Sequence, residues 1–253
     1  MRFHGCSAVV TGGGQGIGAA VAVALAAEGA AVVVAARTQE RIEQVAALID
    51  SRGGKSWPVV CDVTERASVY GLAATASRHV GPIDILVNSA GIAHSAPLAK
   101  ITLEDWNRLL AVNATGTFLC TQAFVPGMLA RKRGWVINVA SIAGLSGARY
   151  IAAYAASKHA VIGFSRSIAD EVEGTGVTCN AVCPGYVDTE MTQQSVTRVA
   201  TQTGKPAKAA LAGMLAAAGQ KRLITPQEVA DAVLSLCDPN GKRINGAEIT
   251  ITG

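Results

Sequence analysis

The sequence predicts an α/β fold, a doubly wound parallel sheet of seven strands with helices on both faces. Three observations lead to this prediction. Short apolar runs rich in β-branched residues alternate with longer helix-forming segments along all 253 residues. A glycine-rich turn follows the first apolar run. No repeat or low-complexity linker interrupts the alternation, so we expect a single domain over residues 1–253.

In the first half of the chain, each strand is a short apolar run and each helix is a longer segment without internal proline. Strands are predicted at 7–10, 32–35, 56–61 and 83–87. Helices are predicted at 17–28, 38–51 and 65–79. The first unit is a strand, a glycine-rich turn, a helix and a second strand, which is the pattern of a mononucleotide-binding half.

The second half continues the alternation with longer helices. The segment from about 103 to 131 is predicted to be helical, with a break near Gly116 because glycine is a poor helix former. Further helices are predicted from Tyr150 to about Glu173 and over 226–237, and strands at 135–139, 177–183 and 247–251. Residues 190–222 are expected to be an irregular, partly helical excursion.

Composition excludes several classes of protein. The net charge of +4 and the pI of about 8.8 are only mildly basic, so no nucleic-acid partner is expected. No signal peptide and no run of 18 apolar residues is visible, which predicts a cytoplasmic protein without a membrane span. Six cysteines are expected to be reduced, and Cys179 and Cys183 lie about 13 Å apart on a strand, too far for a disulfide. No metal site is expected.

The glycine-rich turn has the sequence Thr11-Gly12-Gly13-Gly14-Gln15-Gly16-Ile17-Gly18. Its glycines fit a T-G-x-x-x-G-x-G spacing rather than the strict G-x-G-x-x-G pattern. Glycine lets the backbone turn tightly and approach a diphosphate, which then lies at the N-terminus of the following helix. The turn therefore predicts a dinucleotide site.

A second group of residues predicts acid/base chemistry. Tyr154 and Lys158 are four positions apart on a predicted helix and so share one face. A cation beside a phenol favours tyrosinate and is expected to lower the pKa of Tyr154 towards the range useful near neutral pH. Ser141 follows the strand at 135–139, where its hydroxyl is placed to polarise a substrate carbonyl.

These motifs together resemble the short-chain dehydrogenase/reductase family over essentially the whole chain. The matching segments, each at the expected element boundary, are Thr11-Gly12-x-x-x-Gly16-x-Gly18, Asp62-Val63, Asn88-Ser89-Ala90-Gly91, Asn113-Ala114-x-Gly116, Ser141, Tyr154-x-x-x-Lys158 and Pro184-Gly185-x-x-x-Thr189. Ser89 is a small departure, because the family usually has a second Asn there. The resemblance implies a Rossmann-type, NAD(P)-dependent oxidoreductase that interconverts an alcohol and a ketone.

The resemblance also implies roles for individual residues. Tyr154 would be the acid/base, Lys158 would lower its pKa and hold the nicotinamide ribose, Ser141 would orient the substrate oxygen, and Asn113 would hold a water linking Lys158 to solvent. The implied cofactor contacts are Gly12, Gly14, Gln15, Gly16, Ile17, Gly18, Arg37, Asp62, Val63, Asn88, Ala90, Gly91, Tyr154, Lys158, Pro184, Gly185, Val187 and Thr189. The implied substrate contacts are His94, Ser141, Tyr154 and Tyr186.

Two histidines compete with these assignments. His159 is a rival base, but it projects about 100° around the helix from Lys158 and is expected to face away from Tyr154. His94 lies in the loop after Gly91, at the strand end where substrates bind in such sheets. It is a candidate substrate contact, with a solvated loop histidine as the alternative.

The end of the second strand predicts a preference for NADP(H), with NAD(H) also usable. An acidic residue is expected there in NAD-binding proteins, and this chain has Ala36 followed by Arg37. A guanidinium can pair with a 2′-phosphate. The alternatives are that Arg37 is a solvated surface cation or lies over the adenine face. Asp62 would contact the adenine amine.

The substrate is less well defined by the sequence. In the family, the stretch after Thr189 covers the substrate, and residues 192–226 contain no Asp or Glu and five cations, Arg198, Lys205, Lys208, Lys221 and Arg222. This charge pattern favours an anionic 3-hydroxyacyl/3-oxoacyl thioester on CoA or acyl-carrier protein, and the alternatives are a solvated helix face or a free secondary alcohol or ketone as substrate. Two other functions are considered, a catalytically inactive dinucleotide sensor and a nucleotide-sugar epimerase. The resemblance implies a homotetramer.

Overall fold

The computed structural model describes all residues from Met1 to Gly253. Its seven strands form one parallel sheet with the order β3-β2-β1-β4-β5-β6-β7. The strands are β1 (Ser7–Thr11), β2 (Ala31–Ala36), β3 (Lys55–Val60), β4 (Ile85–Asn88), β5 (Gly134–Val139), β6 (Val177–Pro184) and β7 (Glu248–Ile251). The predicted doubly wound fold is confirmed, and every predicted strand is present within a few residues of its expected bounds.

Helices cover both faces of the sheet. They are α1 (Gly16–Ala27), α2 (Gln39–Ser51), α3 (Arg66–Val80), α4 (Leu103–Leu110), α5 (Gly116–Ala130), α6 (Ala152–Glu171), α7 (Glu190–Thr203), α8 (Ala207–Ala217) and α9 (Pro226–Leu236). Apolar side chains of α1, α2 and α9 bury one face of the sheet, and those of α3, α5 and α6 bury the other. Both faces are therefore dry, which explains why β1 and β4 through β6 are buried along their whole length.

The long helix over 103–130 has a defect at the expected place. Residues Ala111–Thr115 form a π-helical turn between α4 and α5, directly before Gly116. Gly116 itself is helical, and a side chain there would meet Val63 Cγ2 at 2.7 Å, so glycine is needed for close packing. Wide helical turns of this kind are frequent at functional sites.

The segment over 190–222 is more regular than the sequence predicts. It contains two helices, α7 and α8, which pack against each other. Thr189 caps α7 by accepting a hydrogen bond from Thr192 N at 3.4 Å. Gly204, with φ of +67°, ends α7, and Pro206 precedes α8. Glycine and proline here separate two helices instead of breaking helical structure throughout.

One helix, Leu103–Ala130, is both long and apolar. By length and composition the 28-residue helix Leu103–Ala130 could cross a bilayer, because an 18-residue window in it has a mean hydropathy of 1.2. Half of that window is buried inside the fold, against α3 and α6. A core helix meets the same criterion, so the sequence-based expectation of no membrane span stays a prediction.

Candidate active site

The main cleft lies at the carboxyl ends of the strands, where the sheet order reverses between β1 and β4. This switch point is where ligands bind in open α/β sheets. The cleft has a volume of about 360 Å³. Its lining contains most of the predicted site residues: Gly12, Gly14, Gln15, Gly16, Ile17, Gly18, Arg37, Asp62, Val63, Ala90, Gly91, Ser141, Tyr154, Lys158, Pro184, Gly185, Val187 and Thr189.

The glycine-rich turn is compact because two of its glycines touch backbone. A Cβ on Gly12 would lie 2.7 Å from Ala90 Cα, and the φ of Gly12 is +66°. A Cβ on Gly18 would overlap the carbonyl group of Gly12. Only glycine allows this approach, which brings the turn between β1 and α1 against the end of β4.

The N-terminus of α1 faces the cleft without a protein partner for its amides. Gln15 occupies the cap position but makes no side-chain capping bond, and the first turn contains no acidic residue. Threonines cap α4, α7 and α9, whereas α2, α3, α6 and α8, like α1, have no side-chain cap. Uncapped amides and the positive end of the helix dipole fit a phosphate group. The residues present therefore fit the diphosphate of a dinucleotide.

Lys158 is held deep in the cleft wall. It is 6% exposed, and its Nζ donates a hydrogen bond of 2.8 Å to Val139 O at the end of β5. Burial lowers the pKa of Lys158 from 10.5 to about 8, and no carboxylate contributes to the shift. The ammonium is therefore a buried charge held by one backbone carbonyl.

Tyr154 differs from the sequence-based expectation in its pKa. Burial and the neighbouring Tyr186 raise the pKa of the Tyr154 phenol above 10, whereas the Ser141 hydroxyl acts in the opposite direction. Lys158 Nζ lies 6.0 Å from the centre of the Tyr154 ring and is directed to Val139, so it does not lower this pKa here. The predicted lowering is wrong for this structure, and the phenol is protonated at neutral pH.

Ser141 lies just past β5 and is almost buried, at 8% exposure. Its Oγ accepts a hydrogen bond from Ala143 N at 3.1 Å and so begins the short 3₁₀ turn Ile142–Gly144. The same hydroxyl donates to Pro184 O across 3.5 Å, a long bond that a substrate oxygen can replace. The strand end and the turn thus fix Ser141 beside Tyr154.

Asn113 supports the cleft from the π-helical turn rather than lining it. Its side-chain amide pairs with the backbone of Ile92, with bonds of 2.9 Å from Ile92 N to Oδ1 and 3.0 Å from Nδ2 to Ile92 O. Nδ2 also donates to Ser157 Oγ at 2.9 Å. The amide therefore ties the loop after β4 to α6, which carries Tyr154 and Lys158. The water assigned to Asn113 stays a prediction.

The side chain of Asn88 is directed away from the cleft into the core, and its assignment as a cofactor contact stays a prediction. Its Nδ2 donates to Asn138 Oδ1 at 2.8 Å and to Thr121 Oγ1 at 3.1 Å. Asn138 in turn donates to Ser165 Oγ at 2.8 Å. These buried bonds link β4, β5, α5 and α6 beneath the cleft, so Asn88 supports the site through the core.

Asp62 and Arg37 line the cleft just after β3 and β2, and their assigned contacts with the adenine amine and the 2′-phosphate stay predictions. Asp62 Oδ1 accepts bonds from Thr64 N at 2.9 Å and Thr64 Oγ1 at 2.7 Å. Burial raises the pKa of Asp62, but these bonds and the charge of Arg37 outweigh it and hold the pKa below 3.8. Arg37 is exposed and forms no ion pair, so its guanidinium is free for a ligand.

The histidines and Tyr186 are outside the cleft lining. His159 is exposed, and its Nδ1 lies 2.9 Å from Ala155 O, as expected for a residue turned away from Tyr154. His94 is paired with Asp105, with 3.8 Å between Nε2 and Oδ2. Tyr186 N donates to Gln220 Oε1 at 2.7 Å. The substrate contacts assigned to His94 and Tyr186 are thus not part of the cleft in this structure.

Several lining residues are absent from the sequence-based prediction. They are Ala36, Thr38, Arg41, Cys61, Ser89, Ile92, Val112, Val139, Ala140, Glu190, Met191 and Thr192. Most adjoin a predicted residue along the chain, so extending each motif by one or two positions would have found them. Arg41 and Thr192 lie three or more positions from any predicted residue and could be found only from their places on α2 and α7.

A dinucleotide cleft joined to a Ser–Tyr–Lys group defines a nicotinamide-dependent oxidoreductase. The family model for short chain dehydrogenases matches residues 7–200, and the chain belongs to this family. A 2-(S)-hydroxypropyl-CoM dehydrogenase from Xanthobacter autotrophicus is 37% identical over 248 residues, covering 96% of this chain and 94% of that protein.

Two further proteins resemble the chain along nearly its whole length. A 3-oxoacyl-acyl-carrier-protein reductase from Thermotoga maritima is 34% identical over 253 residues, covering 100% of this chain and 98% of that protein. The crystal structure of an actinorhodin polyketide ketoreductase with NADPH superposes with a TM-score of 0.92 at 32% identity, covering 98% of this chain and 96% of that one. The chain is thus an NAD(P)-dependent oxidoreductase, and its relatives act on different substrates.

The buried charge of Lys158 leads to a prediction about stability. We expect Lys158→Met to abolish turnover yet raise the Tm at pH 7 by roughly 2–4 °C, the shift that about 1 kcal/mol gives in a chain of this size. At pH 7 folding buries an ammonium that water solvates in the unfolded chain. Thermal unfolding of both proteins, followed by circular dichroism, measures the difference.

The pH dependence is the control for this prediction. The folded chain loses the Lys158 proton near pH 8 and the unfolded chain near 10.5, so between these values the unfolded state binds more protons. Wild-type stability therefore gains with rising pH in this window, and the advantage of the Met variant shrinks. If the difference in Tm between the two proteins stayed constant from pH 7 to pH 10, the charge of Lys158 would not be its cause.

Proposed function

We propose that the chain interconverts 3-hydroxyacyl and 3-oxoacyl thioesters, with NADP(H) preferred over NAD(H). The observation that carries the substrate proposal is the charge of the cover formed by α7, α8 and the turn up to Arg222. Of its five cations, only Arg222 is neutralised, by bonds of 2.7 and 2.9 Å to Glu228. The remaining cations, Arg198, Lys205, Lys208 and Lys221, form no ion pair, and the three lysines are exposed and would attract an anionic carrier.

When bound, the nicotinamide cofactor would supply or accept the hydride at the carbonyl carbon of the substrate. The chain supplies the proton and the orientation. In the reduction direction, the Tyr154 phenol donates its proton to the substrate oxygen as negative charge develops there. Ser141 donates a hydrogen bond to the same oxygen. Lys158 bonds to Val139 O in this structure, so we propose that its ammonium turns to the phenol oxygen during the reaction and stabilises the tyrosinate that remains after transfer.

A substrate panel tests this proposal. Purified protein is assayed with NADPH and NADH against acetoacetyl-CoA and against simple ketones of similar size, by the absorbance of the reduced nicotinamide. We expect a kcat/KM for the thioester at least tenfold above that for the free ketones. A higher value for a free ketone supports the alternative, a reductase of free secondary alcohols and ketones. No turnover of any substrate, with NADPH still bound, supports a catalytically inactive sensor.

We also propose that the chain forms a homotetramer. The helices α4 and α5 leave large apolar side chains exposed in the single chain, and Phe164 of α6 is half-buried beside them. Leu103 is 74% exposed and Phe118 is 42% exposed, and the Phe118 ring packs edge-on to Phe164 at 6.2 Å. Exposed apolar side chains on neighbouring helices are typical of an interface between copies.

Sedimentation velocity tests the assembly at micromolar concentration. We expect a tetramer for the wild type and smaller species for Phe118→Lys, because a charge in an apolar interface is left unpaired. Leu48→Lys, at a 41% exposed position on α2, is the matched control and should stay tetrameric. A wild-type protein that sediments as a stable monomer contradicts the proposal.

A further inference from the structure

An ion pair crosses the mouth of the cleft between two elements that are far apart in sequence. Arg41, in the first turn of α2, places its Nη1 2.9 Å from Oε2 of Glu190, the first residue of α7. The two residues are 149 positions apart, and both line the cleft. Their side chains are 43% and 47% exposed, and exposed pairs of this kind add little to stability. Stability therefore does not account for the placement of this pair.

The pair lies above the glycine-rich turn. A Cβ on Gly14 would lie 3.1 Å from Arg41 Cβ, so the start of the arginine side chain rests on the turn. On the other side, a Cβ on Gly16 would lie 3.2 Å from Cγ2 of Thr189, the residue before Glu190. The guanidinium and the carboxylate thus meet beside the N-terminus of α1, where the uncapped amides fit a diphosphate.

A diphosphate is a stronger partner for Arg41 than the Glu190 carboxylate. It carries more negative charge, and a planar guanidinium can bind two of its oxygens at once. A carboxylate at the mouth of an anion site repels the incoming ligand, so Glu190 opposes binding even as it holds Arg41 in place.

We propose that Arg41 binds the diphosphate of the cofactor and that Glu190 occupies Arg41 until the cofactor displaces it. The inference rests on the dinucleotide cofactor of the family and is independent of the proposed substrate and of the preference for NADP(H). Arg41 would serve the diphosphate that both nicotinamide cofactors share, whether or not Arg37 serves a 2′-phosphate as proposed above.

Nucleotide fragments test this division of roles by titration calorimetry, with no turnover required. ADP carries a diphosphate and no 2′-phosphate, whereas 2′-AMP carries a 2′-phosphate and no diphosphate. We expect Arg41→Met to weaken ADP binding roughly tenfold or more, the effect of losing a charge-assisted contact, and to leave 2′-AMP unchanged. Arg37→Ala is the matched control, and it should weaken the binding of 2′-AMP while leaving the binding of ADP unchanged.

Glu190→Gln tests the competition. It removes the carboxylate charge, so we expect ADP to bind several-fold more tightly than to the wild type, and this gain should vanish in the double variant with Arg41→Met. Arg41→Lys keeps the charge without the planar fork, and should bind ADP with intermediate affinity even if the Met variant folds poorly.

Three results would overturn the inference. Unchanged ADP affinity in Arg41→Met would make the pair a surface contact only. Weaker binding of 2′-AMP in Arg41→Met, with unchanged binding of ADP, would assign Arg41 to the 2′-phosphate. Weaker ADP binding in Glu190→Gln would show that Glu190 assists the ligand instead of competing with it.

Discussion

Tyr154→Phe is expected to lose 10²–10⁴-fold in kcat, the usual contribution of general acid/base catalysis, while binding NADPH as the wild type does. The substitution removes only the phenol hydroxyl, which supplies the proton for the substrate oxygen. The ring, its packing and the position of Lys158 are unchanged, so the cleft that receives the dinucleotide is retained. Steady-state kinetics and titration of the nucleotide fluorescence measure the two quantities separately.

Tyr70→Phe is the matched control for this substitution. Tyr70 lies on α3, is 40% exposed and bonds to Gln122 Oε1 at 3.2 Å, outside the cleft lining. It should keep wild-type kcat. If the Tyr154 variant retained more than a tenth of the wild-type kcat, another group would have to supply the proton.

The second large effect concerns the choice of cofactor. We expect kcat/KM with NADPH to exceed that with NADH by roughly tenfold or more, because a guanidinium bond to phosphate is worth about 1.5–3 kcal/mol. Ala36→Asp should reverse this preference, since a carboxylate at the end of β2 repels a 2′-phosphate and accepts bonds from ribose hydroxyls. Arg37→Ala should erase the preference without reversing it.

Measurements of kcat/KM with both cofactors for the three proteins decide the matter. Lys55→Ala, an exposed position at the start of β3, serves as the control for a general change in positive charge and should keep the wild-type ratio. An equal or larger value with NADH in the wild type would mean that Arg37 does not bind the 2′-phosphate and is either a solvated cation or placed over the adenine face.

The features that could be predicted from the sequence are those set by neighbours along the chain. Apolar runs placed all seven strands, because buried parallel strands are apolar on both faces. The spacing of Tyr154 and Lys158 placed them on one face of α6, and the glycine spacing located the turn at α1. The break near Gly116 was also visible, although the sequence did not show that the defect is a wide turn ahead of it.

The features that could not be predicted depend on contacts between distant segments. The pair of Arg41 and Glu190 joins α2 to α7 across 149 positions. The side chain of Asn88 belongs to a polar network whose other members lie on different elements, and its own motif does not reveal those partners. The pKa of Tyr154 was misjudged because Lys158 bonds to Val139 O, and neither helix spacing nor propensity specifies where a long side chain ends.

The position of β4 in the sheet has a consequence for synthesis of the chain on the ribosome. Its two partners are β1, which is made earlier, and β5, whose first residue follows Asn88 by 46 positions. A nascent chain that ends within this interval has an apolar strand, Ile85–Asn88, with one unpaired edge. Open edges of this kind recruit other chains, so we expect nascent molecules to be prone to aggregate, and to need a chaperone, until β5 emerges.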